Sequence, residues 1–486
     1  MRPVPELRDT PSRTQPDGAA SPANDHLIRG IGVWHATALN MIDMIGVGPF
    51  ITIPLIITAM HGPQAMLGWI VGAVLVTCDG LVWAELGASM PLAGGPVRYL
   101  RAMYGPRAGR WLSFLFVWQL TFSAPLSMAS GCIGLALYAG YLWPSLRTVL
   151  LTRRLALSLP AIGTTAIELT ITWGTFVAMG AAALAIVLLY RRITVIGRFA
   201  QFLWVGVIGT ALWIIASALW RFDAHQAFAF PPGAFTPSLD FFRGLGAALL
   251  IAVYDYWGYY NVCYLGAEVR DPGRTIPRAI LLSIAGVSAI YLTMNVAILG
   301  AMPWQDVAKS NFIAADFMER IWGPRAAVLV AVLMMWTAFA SVFSLLLGYS
   351  RVPYAAAVDG EYFAPFARLH PRHRFPYVSL LVLGSLAIVF CLFRLADVVT
   401  ALVVIRVLVQ FLAQTIGIIV LRRRSPEMQR PFRMWLYPFP ALLAFAGFVY
   451  LLVMRPKSSE ALALALVVAA VGSALFLLRR PRRQAA

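Results

Sequence analysis

Charge is what this chain has least of. Asp, Glu, Lys and Arg make up 12% of its 486 residues, about half the share of a soluble protein. Acid is the scarcer sign, with 21 Asp and Glu against 39 Lys and Arg. Long polar stretches are missing between the apolar runs too, so no soluble domain interrupts the spans. The four cysteines, Cys78, Cys132, Cys263 and Cys391, lie scattered in apolar runs without metal-ligand or disulfide-framework spacing, and read as small core residues. No G-x-x-x-x-G-K-[ST] segment occurs, which excludes a phosphate-binding loop and ATP-driven work. The histidines (His26, His35, His61, His225, His370, His373) form no metal or acid–base cluster, so neither an enzyme nor a cofactor protein is expected.

What is present is apolar. Hydrophobic residues reach 60% and mean hydropathy is +0.75. Windows of about 20 apolar residues, each able to cross about 30 Å of hydrocarbon, recur throughout. The fold class expected is an all-α polytopic membrane protein with about 12 transmembrane helices. Spans are read at 33–58, 64–89, 109–142, 169–190, 194–220, 242–265, 278–301, 325–355, 377–393, 396–421, 435–454 and 460–479. The net charge of +18 is a topology signal and not a nucleic-acid footprint. Roughly 27 of the Lys and Arg fall on one set of loops and both termini, against about 11 on the other loops. Both termini are therefore expected in the cytoplasm, with the chain in the cell (inner) membrane. Residues 1–28 are polar and Pro-rich and read as a disordered cytoplasmic tail; 480–486 form a basic tail.

Two spans interrupt themselves. The first contains "DMIGVGPF", with Asp43, Gly46, Gly48 and Pro49; the sixth contains "DYWGYY", with Asp255 and Gly258. Each is D-x-x-G within a hydrophobic run, five helices apart. Paired interruptions at corresponding places are what an inverted repeat with broken helices produces. The halves would be 29–220 and 242–421, followed by two extra helices in 435–479. A broken helix in lipid is tolerated only where its bare backbone lines a cavity or binds something. Gly46 and Gly48 let backbone approach a ligand, and Pro49 suits the first turn of a restarted helix. Packing of small residues between helices is the plainer alternative.

Ionisable groups inside spans are costly and mark function by default. They are Asp43, Asp79, Glu85, Asp255, Glu268 and Arg406. A buried carboxylate needs a cation or a proton. Asp43 and Asp255, one turn before each break, are thus candidates for a substrate amine's counter-ion or a protonatable coupling site. Pairing with Arg406 is the structural alternative; Arg406 can also bind a carboxylate through its fork. Tyr254 and Trp257 are the aromatics chosen to line a cavity and face a cation. Ser341 and Ser344 are candidates for a cation site, though such hydroxyls more often bond their own i−4 carbonyl. Glu85 and Glu268, near span ends, are read as inner-gate structure. Asp79 has no assignment from sequence.

Several of these segments resemble signatures of the amino acid–polyamine–organocation transporter superfamily. "IGVGPF" is similar to its first-helix break and "WAELGASMPLAGGPVRYLRAMYG" to the end of its second helix. "AEVRDPGRTIPRAI" resembles its loop after helix six, "YSRVPYAAAVDGEYFAPFARLHPR" its loop after helix eight, and "RRRSPEMQRPFR" its segment before helix eleven. They are collinear across about 30–480. The resemblance implies five plus five inverted helices around a midplane site, with helices one and six discontinuous. It places Gly46, Val47 and Gly48 at a substrate-carboxylate cradle, Tyr254 at an aromatic gate and Gly258 at the helix-six break. Pro49 departs from the pattern and withdraws one donor; G-x-G-P-F looks like the polyamine-uptake branch. Span five also lacks the lysine that some members carry in place of sodium. The expectation is a secondary transporter for an amino acid or polyamine, driven by protons or sodium or by exchange. A non-transporting amino-acid sensor is the alternative, and no obligate protein partner is evident.

Overall fold

The computed structural model describes residues 27, 29–46, 48–159, 163–191, 193–393, 406–454 and 458–478. Val47, the terminal tails and the first part of the tenth predicted span lie outside them.

The first predicted span is two helices. Helix α1 (Val33–Met44) stops at Ile45 and α2 (Gly48–Met60) restarts with Pro49 in its first turn, bent by 46°. Pro49 brings no N–H, so it sits where a helix loses nothing by lacking one. Next come α3 (Met66–Ser89) and the long α4 (Pro96–Leu142), kinked at Gly105, where φ is 78° and Pro106 follows. Strands β1 (Val149–Leu159) and β2 (Gly163–Thr172) then pair antiparallel, with Leu151 opposite Ile171 and Leu159 opposite Gly163. The all-α reading has no such element; a stretch rich in Thr, Ile and Leu between two helices favours extended backbone.

Helices α5 (Trp173–Leu189) and α6 (Ile193–Trp220) follow. Helix α7 (Leu239–Tyr256) ends early in the sixth predicted span; Gly258 takes φ 128°, and helix resumes only for Asn261–Tyr264. The chain continues through α8 (Pro272–Ala301), α9 (Ile313–Trp322) and α10 (Pro324–Tyr349). In the short α9 Phe317 is buried, while exposed Trp322 donates to Ser217 Oγ at 2.9 Å. Then come α11 (Tyr377–Phe390), a π-helical stretch Val407–Leu412 running into α12 (Ala413–Arg424), α13 (Phe439–Met454) and α14 (Ser458–Leu478).

Among the described residues five helices are long and apolar enough to cross a membrane, and the bent α1–α2 pair makes a sixth. Shorter apolar helices lie at Trp173–Leu189, Tyr377–Phe390, Phe439–Met454 and Leu466–Leu478. Their outer faces leave Val187, Val205, Leu212, Val332 and Leu442 exposed, as a lipid-facing belt requires. Helix α1 packs on α6, α8 and α10, and α2 on α7; α3 backs onto α7 and α8, and α4 onto α10 and α12. The two breaks are thereby brought together at the centre of the bundle.

Candidate functional site

The breaks touch. A Cβ on Gly258 would stand 2.9 Å from Asp43 Cβ and from the Met44 amide nitrogen. A Cβ on Gly48 would stand 2.6 Å from Asp255 Oδ1, and one on Gly46 3.1 Å from Ser341 Oγ. Glycine is thus demanded at 258 twice over, by space and by its positive φ.

Side chains from neighbouring helices satisfy the backbone that the breaks expose. Asn40 of α1, fully buried, donates to Tyr259 O at 2.7 Å and accepts from the Val262 amide at 3.0 Å. The Tyr291 hydroxyl, from α8, lies 2.7 Å from Met44 O and 3.2 Å from Asp255 O, against the last turns of both α1 and α7. Ser344 donates to Leu39 O at 2.8 Å and Ser341 to Asp43 O at 3.3 Å. Both serines therefore bond carbonyls of α1 across the helix contact and not their own i−4 carbonyls. Asn261 in turn donates to Ser344 O at 3.1 Å. Sequence reasoning missed Asn40, Asn261 and Tyr291. Only Asn261 carried a signal, a polar residue one turn after Gly258; Asn40 lies farther from its break and Tyr291 on another helix altogether.

Three charges lie buried in this region. Asp255, 3% exposed, accepts from the Thr52 hydroxyl on α2 through Oδ2, while its Oδ1 has no hydrogen-bond partner among the described residues. Asp43, 7% exposed, likewise has an unpartnered Oδ2. Arg406, 2% exposed, meets neutral groups: Ser127 Oγ at 3.2 Å, Tyr260 Oη at 3.3 Å and Ser123 O at 3.4 Å. Its guanidinium carbon also stands 5.3 Å from the Trp257 ring centre and 5.2 Å from that of Tyr349. The pairing with Asp43 or Asp255 raised as an alternative does not occur at ion-pair distance among the described residues.

The aromatic run divides by contact. Tyr254 is part-buried, its hydroxyl 3.0 Å from Ser130 Oγ and its ring edge-on to Trp257, which stacks on Phe411. Tyr256, Tyr259 and Tyr260 are packing residues: Tyr256 against Trp69 and Tyr291, Tyr260 stacked on Trp83 at 4.7 Å. Tyr259 donates to Asp79 at 2.5 Å, which gives that buried acid a place: it anchors the turn after Gly258.

Glu85 and Glu268 stand apart from the breaks, each in an ion pair. Glu268 binds Arg351 at 3.0 Å, both 2% exposed, and its carbonyl accepts from the Gly30 and Ile31 amides before α1. Glu85 holds Arg422 by two contacts, with Arg430 at 3.5 Å, and accepts from the Met434 amide at 2.7 Å. These contacts tie the end of α3 to the arginine-rich end of α12 and the segment beyond it, and the segment after the α7 break to the one that follows α10. Among the described residues no group of His, Cys, Asp and Glu is arranged to hold a metal.

A family profile described as amino acid permease matches residues 31–475. The chain is 26% identical to the serine/threonine exchanger SteT of Bacillus subtilis, over 88% of this chain and 91% of that one. It is 25% identical to the branched-chain amino acid permease BcaP of the same organism, over 85% of each. It is 26% identical to the human Asc-type amino acid transporter 1, over 87% of this chain and 77% of that one. Two facing helix breaks in an apolar bundle and a family match across nearly the whole chain place it as a transmembrane transporter, not an enzyme, within the amino acid permease family of the amino acid–polyamine–organocation superfamily.

Proposed function

We propose that this permease is a secondary active transporter that moves amino acids across the cell membrane by alternating access, with substrate held between the α1–α2 break and the break after α7. Two five-helix halves, each contributing one break, rock about that site, and α13 and α14 lie outside the repeat. The observation that carries the reading is the contact of the two breaks beside buried, incompletely partnered acids, Asp43 and Asp255. Bare backbone and desolvated charge inside lipid are expensive, and a ligand at that point offsets both. Asp255 is the proposed proton-coupling group: it contacts both breaks and spends one oxygen on Thr52 alone. The termini and the arginine-rich ends face the cytoplasm.

The test is uptake of labelled L-serine, L-threonine and L-leucine into proteoliposomes, with and without an inward proton gradient. Gradient-driven accumulation that loses its pH dependence in Asp255→Asn is expected. If that variant keeps wild-type affinity, rate and pH dependence, Asp255 has no coupling role. Uptake that needs preloaded amino acid and ignores the gradient would instead establish exchange, the activity named for the Bacillus serine/threonine relative. Binding with neither uptake nor exchange would make the protein a sensor.

A further inference from the structure

We infer that Arg406 is the docking group for the substrate's carboxylate and that the amino group lies towards Asp43 and Asp255. The inference rests on the reading that substrate binds between the two breaks.

In a broken span the natural seat for a carboxylate is the N-terminal end of the restarted helix, where amides and the helix dipole favour negative charge. Here that end is compromised. Pro49 removes one donor from the first turn of α2, and Asp255 already lies against it. Its Oδ2 takes the Thr52 hydroxyl, and its Oδ1 stands 2.6 Å from where a Gly48 side chain would begin. A second anion placed there would meet the chain's own carboxylate.

Arg406 presents the opposite situation. It is a buried cation whose contacts among the described residues are neutral, at 3.2–3.4 Å, and its Nε has no partner. Removing a guanidinium from water is repaid only by an anion with good geometry, and the guanidinium fork matches a carboxylate. The group is also in the right place. Its guanidinium packs on the Trp257 ring, and the next residue, Gly258, abuts Asp43. Arg406 and Asp43 therefore flank one peptide of the break without pairing to each other. A π-helical stretch begins one residue later, a distortion that recurs at functional sites. Unpartnered oxygens on Asp43 and Asp255 and an anion-free guanidinium together match a ligand carrying one charge of each sign. A polyamine would set an ammonium beside Arg406 and leave the guanidinium without an anion.

The experiment compares matched pairs on the purified full-length protein by calorimetry: L-serine with ethanolamine, L-leucine with isoamylamine, and L-ornithine with putrescine. Wild type is expected to bind at least one amino acid ten or more times tighter than its decarboxylated partner. Arg406→Gln should weaken that amino acid by about 30-fold, the loss of a charged hydrogen-bonded pair, and leave the amine within about threefold. Arg406→Lys keeps the charge without the fork and decides the matter if the Gln variant does not fold; a loss of about tenfold confined to the amino acid is expected. Amino-acid affinity unchanged in the variants, or an equal loss for acid and amine, overturns this inference while leaving the transport reading standing. Wild type that binds the amines as tightly as the amino acids overturns it too. Wild type that neither binds nor takes up any of the six overturns both.

Discussion

At the scale of single residues, the polar groups beside the breaks act as substitutes for missing helix hydrogen bonds. Asn40 serves one carbonyl and one amide that no helix turn reaches. Each buried group left unsatisfied costs about 1–3 kcal/mol, so Asn40→Ala should lower Tm in detergent and depress transport. Asn40→Asp, which keeps the acceptor for Val262 but loses the donor to Tyr259, should fall between. An Asn40→Ala protein with wild-type Tm would show that other groups cap this turn. The two break glycines should separate in their tolerance. Gly258→Ala drives a Cβ into Asp43 and the Met44 backbone at an unfavourable φ, and is expected to abolish folded protein on size exclusion. Gly48→Ala meets only the carboxylate tip of Asp255, which can rotate. That variant should fold yet shift the pH dependence of uptake. Asn40 is the kind of residue a sequence reading passes over, since one Asn in an apolar helix carries no motif. Gly258 was legible because D-x-x-G occurs twice, and Gly48 because it follows the first of them in G-x-G-P.

Among elements, the ion pairs at the arginine-rich end join helices to loops. Arg98 binds Asp359 at 2.6 Å, and Glu361 lies 3.2 Å from Arg101 and 3.7 Å from Arg110, so the start of α4 is clasped to the loop beyond α10. Burial pushes the Glu361 carboxyl above its ordinary value of 4.5, with Asp359 adding to the rise and Arg101, Arg110 and Arg98 opposing it. A raised folded value means that the native state holds the proton more tightly. The stability this contributes is full below 4.5 and is lost as pH rises through the folded value. The Tm of wild type relative to Glu361→Gln should therefore fall across that window; a difference constant from pH 4 to 8 would contradict it. The Glu268–Arg351 pair is a sharper case, being almost fully buried. Breaking it with Arg351→Met should cost about 3–5 kcal/mol, with Glu268→Gln in the same chain recovering part of the loss. The places of Glu85 and Glu268 near span ends were readable in the sequence. Their arginine partners, 337 and 83 residues away, were not.

For the whole molecule, the exposed apolar belt and the segregation of arginine set how the bundle sits in a bilayer. Single cysteines introduced at Gly233 and Gly360, in a background with the native cysteines replaced by serine or alanine, should react with a membrane-impermeant maleimide from opposite sides. Gly233 is expected to label from outside intact cells and Gly360 only after permeabilisation. Labelling of both from one side would refute the assigned orientation. The β1–β2 hairpin lies in the same family of loops as Gly233, and nothing in a span-by-span hydropathy reading distinguishes extended from irregular backbone there.

Composition and pattern alone decided that this chain lives in lipid and where its helices fail. Both follow from local chemistry, namely apolar run length and the inability of glycine and proline to continue a helix. Which groups meet at those failures was decided only by the tertiary structure. Thr52 reaches Asp255, Asn40 serves the turn after Gly258, and Arg406 is left with aromatic faces and hydroxyls in place of an acid. Such partnerships join residues far apart in the chain, 283 positions for Arg406 and Ser123, and depend on how helices rotate and stack. Hydropathy, which is blind to direction around a helix, does not encode that geometry.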